Sequence, residues 1–248
     1  MTPHQYLEQG LTVFEARLRN PAESPAPHPG AAIRPFITIS RETGAGATTL
    51  GQRLLPLLDQ RFGSAEQPWM LLDKNLLTHA LTFHHLPESL AEFLPEDRMP
   101  EFKGVIGELL GLHPPLWQLE ERVTEAIRHL AKNGRVIFVG RAAHLITAAF
   151  PGGFHLRLVA SREARIRRMM ALLNCDATAA AAHIRQNDHA RRRFLRTYFD
   201  ADIDDAHCYD MVLNTDRIDA ATAAPLVAEA LGQLLARQAA PAAIPEFG

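Results

Sequence analysis

The apolar residues of this chain fall into five short continuous runs, separated by stretches in which apolar positions recur every three or four residues. The runs are FITI from position 36, WMLLD from 69, RVIFV from 135, FHLRLVA from 154 and YDMVLN from 209. Strands buried on both faces of a parallel sheet have continuous apolar runs, and the intervening spacing is typical of helices. The pattern predicts an α/β fold, a doubly wound five-stranded parallel sheet.

Helix start and stop signals divide the stretches between the strands. Ser161 is a predicted N-cap, Asp176 is predicted to begin the next helix, and Thr222 is predicted to cap a C-terminal helix with Pro225 in its first turn. The predicted helices run over about 50–58, 120–131, 162–173, 176–194 and from 222 onward. Strands and helices therefore alternate along the chain.

Three segments flank or interrupt the predicted domain, which covers 36–237. Residues 1–35 hold a short amphipathic helix followed by a proline-rich linker; the helix carries one apolar stripe, formed by Leu7, Leu11, Phe14 and Leu18. That helix either packs on its own domain or joins two copies as a homodimer. Prolines interrupt the helical pattern of 75–118, which predicts an inserted helical subdomain, and 238–248 is predicted to be a flexible tail.

The composition limits the classes of protein that fit. A formal charge of −2 over 248 residues argues against a protein that coats nucleic acid. The two cysteines, Cys175 and Cys208, have no partners at metal-ligand spacing, which indicates a reducing compartment. No segment reaches membrane-spanning length, so we expect a cytoplasmic protein without a membrane partner.

A glycine-containing loop follows the first strand and leads into a helical pattern, in the stretch FITISRETGAGATTL from 36 to 50. This order places backbone N–H groups and a helix N-terminus where a phosphate can bind. It is also compatible with an ordinary tight turn between a strand and a helix. The residues predicted to hold the phosphates of a nucleotide are Gly44, Ala45, Gly46, Ala47, Thr48 and Thr49.

The loop departs from the P-loop pattern G-x-x-x-x-G-K-[ST]. With Gly46 as the second glycine, the lysine position holds Ala47, the hydroxyl position holds Thr48, and the first glycine position holds Arg41. The loop keeps its amide groups and a hydroxyl for Mg²⁺, but it lacks the charge that normally reaches the β- and γ-phosphates.

Arginines are concentrated where the predicted strands end and in the helices after the fourth strand. Arg41 and Arg141 each follow a strand, and a guanidinium fits phosphate oxygens, so the two form a candidate anion clamp. Nine arginines lie between 162 and 196, and for Arg167, Arg168 and Arg193 we expect a solvated helix face.

One arginine pattern is predicted to form a short lid at 174–197. The residues of Arg185-x-x-Asp188-x-x-Arg191 share one side of a helix. Asp188 can orient one arginine while the other binds an anion, as phosphoryl transfer requires.

Together these motifs resemble the cytidylate kinase-like family of the P-loop nucleoside monophosphate kinases, over about 36–235. The resemblance rests on ITISRETGAGATT, LLDKNLL, VIFVGRAAHLI, HLRLVASREARIRRM, the D-x-x-R that begins at Asp188, RTYF and YDMVLNTD. True cytidylate kinases have G-K-G-T where this chain has Gly46-Ala47-Thr48-Thr49, and an Asp where it has Ala142. The kinase-like branch commonly lacks the lysine.

The resemblance implies a role for each motif. The glycine loop would bind the triphosphate of ATP or another donor, with Mg²⁺ at Thr48. Lid arginines would close over the phosphates, which makes Arg41, Arg185 and Arg191 catalytic candidates. The residues implied to contact the acceptor are Asp73, Lys74, Arg141, Asp188 and Arg191.

Two functions from different classes remain open at this point. The first is a phosphotransferase that moves the γ-phosphoryl group to a nucleoside monophosphate or another small acceptor, with Arg41 or Lys74 replacing the missing lysine. The second is a non-catalytic nucleotide sensor that keeps the amide groups and has lost turnover.

Overall fold

The computed structural model describes residues 33–63, 67–73, 116–140 and 142–239, with the backbone alone at 116–122. Several predictions fall outside these residues: the N-terminal helix and its proposed homodimer, most of the linker and of the 75–118 insert, the side chains of Lys74 and Arg141, and the tail from 240.

The five predicted strands are confirmed and form one parallel sheet. Their spatial order is β2-β3-β1-β4-β5, so β1 is central, with β3 and β4 as its neighbours. The strand bounds are β1 Phe36–Arg41, β2 Met70–Leu72, β3 Val136–Val139, β4 Gly153–Val159 and β5 Met211–Asn214. The central position of β1 places the loop that follows it at the middle of the sheet's carboxyl edge, where ligands bind in such folds.

The helices cover both faces of this sheet. Their bounds are α1 Ala47–Phe62, α2 Leu116–Asn133, α3 Ala143–Ile146, α4 Arg162–Leu173, α5 Ala177–Phe199 and α6 Ala220–Ala239, with a 3-10 turn at Ala206–Cys208. The predicted lid region 174–197 is the turn between α4 and α5 together with most of α5. None of the helices in the described part of the chain combines the length and apolar character needed to span a membrane.

One of the two predicted helix caps is confirmed. The Ser161 hydroxyl accepts a hydrogen bond from the Ala164 N–H at 3.3 Å. Asp176, predicted as the first residue of α5, instead caps that helix, because its carboxylate accepts the Ala179 N–H at 2.8 Å and the helix begins at Ala177. The Thr222 cap is wrong, because α6 begins at Ala220 and the Asp219 carboxylate accepts the Thr222 N–H at 2.8 Å. Pro225 consequently lies inside the helix, beyond its first turn.

The two faces of β1 pack differently. Ile37 and Ile39 point into a core shared with α1 and α6, whereas Phe36 packs on the opposite face with β3 and α2. On that second face Thr38 and Ser40 are buried polar residues near the carboxyl end of the strand. One face of β1 therefore packs in an apolar core under the loop. The other face carries Thr38 and Ser40, which form a buried polar band beside the loop.

Candidate functional site

The loop between β1 and α1 depends on its two glycines. Gly44 has φ +82° and Gly46 has φ +86°, the left-handed region that side chains other than glycine rarely adopt. A Cβ atom on Gly44 would also lie 3.0 Å from the Arg165 carbonyl oxygen of α4. Around Gly46 there is no heavy atom within 4 Å of that position among the described residues, so the loop faces open space there.

That open space is a cavity of about 640 Å³ between the glycine loop and helices α4 and α5. Its volume lies within the range of small-molecule sites. The described lining residues are Arg41, Glu42, Thr43, Gly44, Ala45, Gly46, Ala47, Thr48, Thr49, Gln52, Val139, Arg168, Met169, Leu172, His183, Asn187 and Arg191. All six residues predicted to bind the donor phosphates therefore line one cavity.

The N-terminus of α1 opens on this cavity. The first N–H groups of a helix have no partner within it, and they carry its positive dipole end. Thr48 and Thr49 are exposed there, so their hydroxyls can reach a ligand, whereas the Ala47 methyl is buried in the core under the loop. The loop offers N–H groups and hydroxyls but no lysine charge.

Asp188 of α5 holds the start of the loop. Its Oδ1 accepts the Thr43 N–H at 2.8 Å and the Thr43 hydroxyl at 2.7 Å. Its Oδ2 accepts from Arg165 Nη1 at 2.5 Å, and Arg191 Nη1 donates to Oδ1 at 3.1 Å and to the Thr43 hydroxyl at 2.6 Å. The three charged side chains are only 11–13% exposed. The predicted pairing of Asp188 with an arginine is present, and it extends to α4.

Arg168 also contacts the loop, although the sequence suggested a solvated position. Its Nη1 donates to the Gly44 carbonyl at 3.2 Å and to the Thr215 hydroxyl at 2.9 Å, and its Nη2 donates to the Thr215 carbonyl at 2.7 Å. Arg167 and Arg193 are exposed, as expected. The prediction was wrong for Arg168 because helical spacing alone does not reveal which face of α4 meets the loop.

The other predicted site residues in the described part of the chain differ in their positions relative to the main cavity. Arg41 lines the main cavity and also a water-sized cleft of about 10 Å³, which Arg191 lines too. Arg185 is exposed on α5 and is not among the cavity-lining residues. Asp73 is buried at the end of β2 and lines another small cleft, and Val139 lines both this cleft and the main cavity.

A buried arginine that the sequence analysis did not identify lies beside the loop. Arg157 of β4 donates to the Ser40 hydroxyl at 3.1 Å and to Asp204 at 2.6 Å. Asp204 also accepts from Arg192 of α5 at 3.1 Å. Arg157 thus connects the end of β1, just before Arg41, to the segment after α5. The available signal was a charged residue within the apolar run FHLRLVA.

His144 of α3 lies under the same polar band and is held neutral. Its ring stacks on Tyr209 with 4.9 Å between centroids, and its buried Nε2 has no hydrogen-bond partner. Burial, together with the neighbouring His155 and Arg157, lowers the pKa of His144 from 6.5 to about 3. Protonation of this ring is therefore unfavourable in the folded protein.

This low pKa predicts a loss of stability in mild acid. Because the unfolded chain takes up the His144 proton near pH 6.5 and the folded chain only near pH 3, unfolding becomes easier as the pH falls between these values. From pH 7 to pH 5 the loss should be about 2 kcal/mol. Urea unfolding at pH 7 and pH 5 tests this, because His144→Phe should remove that part of the pH dependence. An unchanged pH dependence in the variant would contradict the assignment.

Comparisons with known proteins indicate the family of this chain. The model of the cytidylate kinase-like family matches residues 36–217, which include all five strands, the glycine loop and both arginine-bearing helices. The chain is similar to a cytidylate kinase of Methanothrix thermoacetophila, with 26% identity over 185 residues that cover 74% of this chain and 90% of that protein.

A solved structure supports the fold. The crystal structure of an uncharacterized protein from Eubacterium ventriosum superposes with a TM-score of 0.58 at 17% identity, over 80% of this chain and 99% of that one. At this identity the likeness concerns the fold alone. The family match covers most of the chain, and we conclude that the protein belongs to the cytidylate kinase-like family.

Proposed function

We propose that this protein is a phosphotransferase that moves the γ-phosphoryl group of a nucleoside triphosphate to a nucleoside monophosphate or another small acceptor. The observation that carries the proposal is the 640 Å³ cavity, which has a glycine loop and a helix N-terminus on one wall and Arg168 and Arg191 on the other. Family membership supports nucleotide kinase-like chemistry.

The donor triphosphate would lie along residues 44–49. The backbone N–H groups and the N-terminus of α1 provide a site that favours anions. Arg41, Arg168 and Arg191 border the same cavity, and they would supply the positive charge that the usual lysine provides elsewhere. Arg168 and Arg191 are oriented by Thr215 and Asp188, so less conformational freedom is lost when they meet a phosphate.

Thr48 fits the expected role in holding Mg²⁺. Its hydroxyl is exposed on the cavity at the start of α1, and Mg²⁺ in nucleotide sites takes most of its oxygen ligands from phosphates and water. No cluster of three or more acidic, histidine or cysteine ligands occurs among the described residues. When bound, the ion would neutralise phosphate charge.

The acceptor would bind beyond the loop, on the side of β2 and β3. The predicted contacts are Asp73, Lys74, Arg141, Asp188 and Arg191, and support for them comes from the family motifs and from the position of Asp73 at a strand end. The similar protein named cytidylate kinase suggests a nucleoside monophosphate as acceptor.

Free Cys175 and Cys208 fit a cytoplasmic location.

The second candidate function, a non-catalytic nucleotide sensor, is favoured by one observation. Ala47 takes the place of the lysine, and its methyl is buried in the core. Loss of a transition-state charge costs several kcal/mol of catalysis, while the loop can still bind phosphates. Such a protein would bind a nucleotide without turnover.

The release of ADP distinguishes the two functions. ATP and Mg²⁺ are incubated with a panel of nucleoside monophosphates, and ADP is measured with and without each acceptor. A phosphotransferase should release ADP only with its acceptor, together with one equivalent of phosphorylated acceptor. Binding of ATP without ADP release for any acceptor would favour the sensor.

A further inference from the structure

Arg157 is a buried charge inside the sheet. Its side chain is 4% exposed, and it lies between the buried Leu156 and Leu158 of β4, beside the central strand β1. Burying a guanidinium costs several kcal/mol, and a buried ion pair is often no more stabilising than apolar side chains of similar size. An apolar residue would suit the sheet at least as well. Such a departure from the local pattern is expected near a functional site.

The guanidinium of Arg157 joins the end of β1 to the segment after α5. Its Nη1 donates to the Ser40 hydroxyl at 3.1 Å, and its Nη2 donates to Asp204 Oδ1 at 2.6 Å. The Tyr209 ring centre lies 5.8 Å from the guanidinium carbon. The Tyr209 hydroxyl lies 3.2 Å from Ser40 Oγ and donates to the Ile203 carbonyl at 2.9 Å. Ser40 is therefore held from two directions.

Arg41 follows Ser40 directly and ends β1. Arg41 and Arg157 line the same cleft of about 10 Å³, but only Arg41 is also among the described residues that line the main cavity. A cleft of that size holds at most about one water molecule. A nucleotide in the main cavity can therefore contact Arg41 but not Arg157.

The other end of the connection reaches α5. Asp204 Oδ2 accepts a hydrogen bond from Arg192 Nε at 3.1 Å, and Arg192 directly follows Arg191, which lines the main cavity. Hydrogen bonds between charged groups are stronger than those between neutral groups. Through Arg157 and Asp204, these bonds link the residue before Arg41 to the residue after Arg191.

We propose that Arg157 is a positioning residue for phosphoryl transfer, which fixes the end of β1 so that Arg41 meets the β- and γ-phosphates. This inference rests on the proposed function and adds a residue that acts without touching the nucleotide. A displacement of about 1 Å in a reacting arrangement can cost about a hundredfold in rate, and supporting contacts prevent such displacements. Arg157 therefore affects turnover and leaves the binding of the triphosphate to the glycine loop unchanged.

The substitution Arg157→Met keeps the length of the side chain and removes both of its hydrogen bonds. With ATP, Mg²⁺ and an acceptor that supports ADP release, kcat should fall about tenfold to hundredfold, while the Kd of ATP measured by calorimetry changes less than about twofold. In the Arg41→Ala background the same substitution should lower kcat less than about twofold, because the arginine that it positions is absent. Equal losses of kcat in both backgrounds, or a loss of ATP affinity as large as the loss of kcat, would overturn the inference.

A second variant acts on the half-exposed end of the connection, and it decides the question if Arg157→Met does not fold. Asp204→Asn should lower kcat about threefold to tenfold without changing the affinity for ATP, because Arg157 loses its charged partner. Asp202→Asn is the matched control: it changes an exposed carboxylate 3.7 Å from Arg196 and should leave kcat unchanged. If Asp204→Asn keeps the wild-type kcat, or if both variants lose kcat equally, the inference fails while the proposed function stands. If the wild type releases no ADP with any acceptor, both fail.

Discussion

Replacing Asp188 with alanine is expected to lower the free energy of unfolding by about 3 kcal/mol, because its carboxylate makes close ion pairs with two largely buried guanidinium groups. Arg165 and Arg191 would lose contacts at 2.5 and 3.1 Å, Arg165 would keep its longer ion pair with Glu42 at 3.6 Å, and the Thr43 N–H and hydroxyl would lose their acceptor. Removing a close partner from buried charges is among the costliest changes in a folded protein. Urea unfolding of wild type and variant measures the difference.

Asp202 provides a matched control for this prediction. It lies 3.7 Å from Arg196, and the two side chains are 56% and 76% exposed. Asp202 also accepts the Asp204 N–H at 3.0 Å in an exposed hydrogen bond. Exposed ion pairs and exposed hydrogen bonds contribute little, so Asp202→Ala should lower the unfolding free energy by about 1 kcal/mol, clearly less than Asp188→Ala. Equal losses in the two variants would show that Asp188 does not hold the loop in the way described.

Replacing Arg41 with alanine is expected to lower turnover by on the order of a hundredfold or more, with a smaller effect on nucleotide affinity. Arg41 ends β1 at the glycine loop and borders the main cavity. A charge near the β- and γ-phosphates stabilises the transition state more than the bound ground state. Steady-state kinetics of ADP release give the turnover, and calorimetry gives the affinity.

Placing a lysine in the loop also tests the role of Arg41 in turnover, because it adds the charge that the loop lacks. In the Arg41→Ala background, Ala47→Lys should restore part of the lost rate. Equal loss of affinity and turnover in Arg41→Ala would mean that Arg41 only binds the nucleotide. If the wild type turns over no acceptor and Ala47→Lys alone creates activity, the protein is a sensor.

The fold was largely predictable because its strands are buried on both faces. Such burial leaves continuous apolar runs, and the runs from 36, 69, 135, 154 and 209 correspond to the five observed strands. Local signals also placed the cap at Ser161 and, to within one residue, the start of α5 after Asp176. Thr222 was chosen as a cap because Pro225 suits a first turn, but Asp219 is also a strong capping residue and lies three positions earlier.

The site was predictable where it depends on local sequence. The glycine loop is specified by neighbouring residues, since Gly44 and Gly46 adopt positive φ values within a strand-to-helix turn. The i, i+3 spacing of Asp188 and Arg191 likewise predicted their contact. Both features can be read from a short stretch because helix and turn geometry fix them.

The sequence did not reveal contacts between distant segments. Arg168 meets Gly44 across 124 positions, and Arg157 meets Ser40 across 117. Within the arginine-rich segment each arginine has the same chemistry, so only the packing of α4 on the loop distinguishes Arg168 from the exposed Arg167. Tertiary placement, which local patterns do not encode, therefore decides which arginines serve the cavity.

A charge variant at the N-terminus of α1, compared with a matched control, tests nucleotide binding directly. Thr48→Glu adds a negative charge beside the phosphate site, while an acidic residue in the first turn of a helix favours folding. Gln60→Glu makes the same change in net charge at the exposed far end of α1. We expect the first variant to lose triphosphate binding and the second to keep it.

Calorimetric titration of the wild type, Thr48→Glu and Gln60→Glu with ATP and with GTP in the presence of Mg²⁺ tests whether residues 41–49 bind a nucleoside triphosphate. We expect saturable binding by the wild type and by Gln60→Glu, and none by Thr48→Glu. The absence of heat up to millimolar nucleotide with folded wild-type protein, or equal binding by all three proteins, would contradict it.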